Sequence, residues 1–121
     1  MLAFNKALSK QIYAGADMFL MPSKSEPCGL SQMIASVYGA VPIVREVGGL
    51  YDTIKPFNPE TVEGNGITFV SYNAHDMMDA VRRAVALYED GAWGRLTRNA
   101  MTHDFSWDAS AKGYLGIFNT L

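Results

Sequence analysis

The sequence predicts an α/β fold built on a small parallel sheet, and three observations predict it. Asp17–Pro22, Val41–Val44 and Gly66–Val70 are short apolar runs bounded by turn residues, the pattern of strands covered on both faces. Segments of helical period lie before, between and after them. The first two runs and the helical segment joining them occupy about thirty residues, the size of a βαβ unit, whose crossover makes the strands parallel neighbours.

Taken in order, the chain enters through a helix over Ala7–Ala16. Leu8, Ile12 and Tyr13 share a face, and Gly15 is placed to end it. The first strand is stopped by Pro22 and followed by a loop, Ser23–Cys28. Leu30, Met33, Ile34, Val37 and Tyr38 then fall at i, i+3, i+4, i+7 and i+8, an amphipathic helix stopped by Gly39. After the second strand, Gly48-Gly49 opens a short helical stretch, Leu50–Ile54. A turn-rich loop with Pro56, Asn58, Pro59 and Gly64 follows and reads as surface. The third strand leads to a helix capped by Asn73, with Met77, Met78, Val81, Ala84, Val85 and Tyr88 on one face and Gly91 as its stop. Trp93–Met101 and Trp107–Phe118 form two further helices. Met33, Met77 and Met78 read as core filling, and Trp93 and Trp107 as helix anchors.

With 121 residues the chain makes one domain at most. Ten Lys and Arg against twelve Asp and Glu give a net charge of −2, and 49% hydrophobic content marks a core-forming chain. No basic face is available for nucleic acid; Arg82-Arg83 is an isolated pair. The single cysteine, Cys28, excludes an intrachain disulfide, and with His75 and His103 far away no metal-ligand spacing occurs. No apolar run is long enough to span a membrane and no basic-then-apolar leader opens the chain, so a cytoplasmic setting is expected. Three strands are few for a doubly wound sheet. Residues 1–121 therefore read as one partial domain, closed by terminal helices over 92–121. Its open sheet edge is expected to associate with a missing half or with itself.

In open parallel sheets ligands sit beyond the carboxyl ends of the strands, which singles out Ser23–Gly29 and Arg45–Gly49. Gly29 admits close backbone approach, and the helix behind it presents unpaired N–H groups and a positive dipole end, an anion site. Diphosphate is expected at Gly29, Leu30 and Ser31, with Lys24 as a counter-charge. Glu26 beside it needs another task, gripping sugar hydroxyls or stabilising a cationic transition state. The competing reading is a capping box, Ser23-x-x-Glu26. Cys28 has no histidine near it in sequence to activate it and reads as a packed or substrate-lining thiol. Phe4 is either a core aromatic or a stacking partner for a base. His75 and His103 receive no role. Neither G-x-x-x-x-G-K-[ST] nor G-x-G-x-x-G occurs, and without Asp-x-Asp no chelated metal and no cofactor is expected.

Five blocks in order, Ala14–Ser23, Glu26–Gln32, Tyr38–Arg45, Gly48–Thr53 and Asp104–Trp107, closely resemble bacterial glycogen synthases and plant starch synthases. The resemblance implies a Rossmann-like part of the carboxyl-terminal domain of a GT-B glycosyltransferase. Such enzymes transfer glucose from ADP-glucose to an α-1,4-glucan with retention of configuration. It further implies Glu26 as the essential acid near the transferred glucose, Cys28 and Gly29 lining the sugar pocket, Leu30 and Ser31 meeting ADP, and Phe4 where the family has a tyrosine against adenine. Ile34 departs from related GT-B enzymes, which often carry a second glutamate there. Nothing here matches the family's upstream Arg/Lys pair or its amino-terminal domain, so the isolated chain is expected to be inactive. The alternatives are a GT-B enzyme using another nucleotide sugar, and a non-catalytic nucleotide-binding or assembly module.

Overall fold

In the computed structural model, which describes residues 5–120, helix α1 (Lys6–Gly15) begins where the Asn5 side chain accepts the Leu8 N–H at 3.0 Å. It delivers the chain to β1 (Met18–Met21). Helix α2 (Ser31–Tyr38) crosses over to β2 (Val41–Arg45). Gly39, at φ 86°, ends α2: its N–H reaches the Ser36 carbonyl and the Ala40 N–H the Ala35 carbonyl, a Schellman closure that releases the chain directly into β2. Helix α3 (Gly49–Thr53), strand β3 (Ile67–Phe69) and helices α4 (Ala74–Glu89), α5 (Trp93–Thr102) and α6 (Trp107–Phe118) complete the order.

The three strands are parallel in the order β1-β2-β3, with Met21 opposite Val44 and Arg45 opposite Phe69. The predicted βαβ unit is therefore present, and the loops leaving all three strands emerge at one edge. The central strand is covered on both sides. Val41 and Ile43 pack with Ile67 and Phe69 against Ala80 and Ala84 of α4 and Trp93 and Leu96 of α5. Val44 turns the other way, onto Leu50 and Ile54, with Met21, Val47 and Phe105 around them. This second cluster lies under the strand-end loops and stiffens them.

Several expectations change. In α2 the face that packs inward is Gln32, Ala35 and Ser36, not the apolar one. The small side chains of Ala35 and Ser36 let the helix lie close to the sheet, and Leu30, Ile34, Val37 and Tyr38 are left exposed. On α4, Met77 packs against the core while Met78, Val85 and Tyr88 stay exposed. Trp93 anchors α5 in the core, but Trp107 is 87% exposed, because α6 has no buried residue. The loop after α3 is only partly surface. Asn65 is buried, with its side chain accepting the Lys55 N–H at 2.6 Å and donating to the Thr53 carbonyl at 3.0 Å. Asn99 of α5 donates to the carbonyls of Val62 and Gly64 and ties the same loop to the body.

The Asp104–Trp107 block is a turn and a cap. Asp104 accepts the Ser106 N–H at 2.9 Å, and the Ser106 hydroxyl accepts the Ala109 N–H to start α6. The Ser106 side chain, and after it the Ser106 N–H, hold the Asp104 carboxyl below the usual carboxylate range. No helix among the described residues is long and apolar enough to cross a membrane.

Candidate functional site at the strand ends

The site grows from the loop between β1 and α2. Glu26 is half-buried, Cys28 and Leu30 are exposed, and Gly29 and Ser31 are half-buried at the entrance to α2. Sequence reading places Glu26, Cys28, Gly29, Leu30 and Ser31 together, and the chain does bring them into one short segment. Phe4 lies outside the described residues.

The capping-box reading of Glu26 fails. Helix α2 begins at Ser31, five positions past Glu26, its N-cap residue is Leu30, and no side chain caps it. An N-terminus without a side-chain cap keeps its first N–H groups available, with the positive end of the helix dipole behind them. Gly29 sits at φ +77°, a conformation that L side chains rarely adopt. A Cβ there would stand 2.6 Å from the Gln32 amide oxygen and 3.2 Å from the Glu26 side chain. Glycine is thus required twice over, by dihedral and by space.

The loop after β2 closes onto this segment from the other side. The Gly49 N–H donates to the Glu26 carbonyl at 3.2 Å. A Cβ on Gly48 would overlap the Glu26 carbonyl oxygen, and one on Gly49 the Cys28 backbone. The glycine pair, read in sequence as a helix opener, is here the bed on which residues 26–28 lie.

Arg45, at the end of β2, is the clamp that sequence reading missed. Its Nε donates to the Val70 carbonyl at 3.0 Å and its Nη1 to the Lys24 carbonyl at 3.0 Å. Its guanidinium stands 5.5 Å from the centre of the Tyr72 ring. One side chain thereby ties the loops after β1 and β3 to β2, in the fork geometry that only arginine offers. An arginine closing an otherwise apolar strand, Val-Pro-Ile-Val-Arg, is the sequence signal that could have revealed it.

Cys28 has no base beside it. Its Sγ points to the neighbouring Gly29 carbonyl at 3.6 Å, so the arrangement is not that of an activated nucleophile. His75 and His103 are exposed, and His103 stacks on Phe105 at 4.6 Å between ring centres. Among the described residues no group of three or more His, Cys, Asp or Glu side chains comes together. What the segment offers is a helix entrance whose first N–H groups no side chain caps, with one carboxylate adjacent.

The chain has relatives among known proteins. The family of glycosyl transferases group 1 matches residues 3–100. A glycogen synthase of Bacillus cytotoxicus is 55% identical over 121 residues, covering 99% of this chain and 25% of that protein. A glycogen synthase of Desulfitobacterium hafniense is 49% identical over 122 residues, covering 99% of this chain and 26% of its own length. The chain therefore spans about a quarter of the length of the curated relatives it matches. Among solved structures, the catalytic domain of starch synthase IV from Arabidopsis thaliana, bound to ADP and acarbose, superposes with a TM-score of 0.86 at 39% identity, over 99% of this chain and 25% of that one. The parallel α/β fold is that of a GT-B glycosyltransferase domain, and the chain belongs to the glycosyl transferases group 1 family.

Proposed function

We propose that this chain is the nucleotide-sugar-binding part of a glucan synthase that transfers glucose from ADP-glucose to the non-reducing end of an α-1,4-glucan. The observation that carries the reading is the segment Glu26–Ser31, in which a helix entrance without a side-chain cap and a half-buried carboxylate adjoin. The relatives support it: proteins named glycogen synthase at 49–55% identity, and a starch synthase bound to ADP and acarbose.

In this reading the N–H groups at Gly29, Leu30 and Ser31 hold the diphosphate and take up the charge that develops as it leaves. Glu26 faces the glucose and stabilises oxocarbenium-like charge at its anomeric carbon, with Cys28 lining the sugar pocket and Phe4 stacking on adenine. Residues 1–121 form a partial domain, with 92–121 as its terminal helices. The remainder of a longer polypeptide supplies the countercharge for the diphosphate and the acceptor site. That remainder covers the half-exposed edge strand β1 and the apolar face of α2. The setting is the cytoplasm.

The test is transfer by the full-length protein. Glucose incorporation into glucan is expected with ADP-glucose and much less with UDP-glucose, and equal use of both donors would move the protein to a broader nucleotide-sugar class. A second measurement uses the exposed thiol. Labelling of Cys28 by a maleimide, followed by peptide mass spectrometry, is expected to slow when ADP saturates the full-length protein. An unchanged rate would take the nucleotide away from this loop.

A further inference from the structure

We propose that Gln32 is a positioning residue that aims the anion-binding amides outward; this rests on the reading of Glu26–Ser31 given above. Gln32 lies on the first turn of α2 and is fully buried. Its Nε2 lies 2.9 Å from the Gly29 carbonyl, 3.2 Å from the Cys28 carbonyl and 3.1 Å from the Thr53 hydroxyl, so its two hydrogens serve three acceptors, one hydrogen being shared. The Thr53 hydroxyl in turn donates to the Gly49 carbonyl at 2.6 Å. A single amide thus joins the loop after β1 to α3, on the element that carries the glycine pair.

The consequence follows from peptide geometry. In a planar trans peptide the C=O and the N–H of the next residue point in opposite directions. With the Cys28 carbonyl drawn inward to Gln32, the N–H of Gly29 is turned outward. With the Gly29 carbonyl drawn inward, the N–H of Leu30 is turned outward. Those are two of the three amides assigned to the diphosphate, and their direction is set by a side chain that no ligand needs to touch.

Two further observations show how tightly this arrangement is specified. The Gln32 Oε1 is buried without a hydrogen-bond partner, a cost that an apolar residue would avoid. The same oxygen stands 2.6 Å from where a Cβ of Gly29 would be, so a side chain at 29 would collide with this glutamine.

The experiment compares wild-type full-length protein with Gln32→Met, which keeps side-chain length and removes the donors, and with Thr53→Val, which removes one acceptor and leaves both loop carbonyls paired. Affinities for ADP and for adenosine are measured by calorimetry, and amide exchange is followed at Gly49, whose N–H bonds the Glu26 carbonyl. The expected result for Gln32→Met is an ADP affinity about 10- to 100-fold weaker, the size of one lost hydrogen bond to a charged group, with adenosine affinity unchanged and exchange at Gly49 faster. Thr53→Val is expected to melt earlier yet keep the wild-type ratio of ADP to adenosine affinity. Should Gln32→Met not accumulate, Gln32→Leu, which is smaller and also without a donor, is expected to shift the same ratio in the same direction. An unchanged ratio, unchanged exchange, or an equal loss of ratio in Thr53→Val would overturn the proposal and leave Gln32 a packing residue. Wild-type protein that binds no ADP, with exchange still faster in Gln32→Met, would instead reject the proposed function and retain the orienting role.

Discussion

Glu26→Gln in the full-length protein is expected to lower kcat for glucose transfer by about 10²- to 10³-fold, the loss typical of removing one group that stabilises transition-state charge. The variant keeps the size of the side chain, and no hydrogen bond of the Glu26 carboxylate to the protein is seen among the described residues, so the fold loses little. ADP is a different matter. A carboxylate beside a diphosphate repels it, so removing that charge should leave ADP affinity unchanged or raise it. Opposite movements of kcat and affinity are the signature of a group whose task lies with the sugar. Steady-state kinetics with ADP-glucose and calorimetry with ADP read both. A variant that polymerises at the wild-type rate would remove Glu26 from the chemistry.

Gly49→Ala is expected to damage both the fold and the site. The added Cβ would coincide with the Cys28 backbone, which has no flexible end to move aside. Either α3 separates from the loop, giving up the Gly49 N–H bond to the Glu26 carbonyl, or residues 26–28 are displaced. Overpacking of this kind costs about 1–3 kcal/mol, and displacing Glu26 costs activity as well. Gly94 supplies the control. It lies within α5 with nothing within 4 Å of its would-be Cβ, so Gly94→Ala should stabilise by about 0.5–1 kcal/mol through helix propensity alone. Thermal melting of the two variants should therefore move in opposite directions, and a Gly49→Ala protein that melts and transfers like wild type would mean that the two loops are not in contact.

Much of the scaffold is written in local patterns. Continuous apolar runs and the Gly39 stop specify the βαβ unit, because strand burial and the αL cap are decided by neighbouring residues. Asn5, Asn73 and Ser106 mark the starts of three helices for the same reason, each side chain accepting an N–H three positions on. Which face of α2 turns inward was not legible. Spacing favours Leu30, Ile34 and Val37, yet the inward face is set by how closely the helix approaches the sheet, where Ala35 and Ser36 fit, and by the buried hydrogen bonds of Gln32. Trp107 misleads for a related reason: an aromatic at a helix start signals a partner surface, and the described residues provide none for α6.

The site shows the same division. Glu26 and Gly29 stand out in sequence because a carboxylate and a glycine at a strand-to-helix turn are chemically conspicuous. Gln32 and Arg45 act by reaching main-chain carbonyls of segments 3–4 and 21–25 residues away, and nothing in a main-chain carbonyl identifies it in a sequence as a partner. The role of the Gly48-Gly49 pair likewise depends on a contact made only when α3 folds back over the loop.

The most direct measurement is a crystal structure of the full-length protein with ADP bound. Diphosphate oxygens at about 3 Å from the main-chain nitrogens of Gly29, Leu30 and Ser31, with the Glu26 carboxylate on the side where the glucose would attach, is the predicted result. A diphosphate seated elsewhere, with the entrance of α2 bonded only to water, would contradict it.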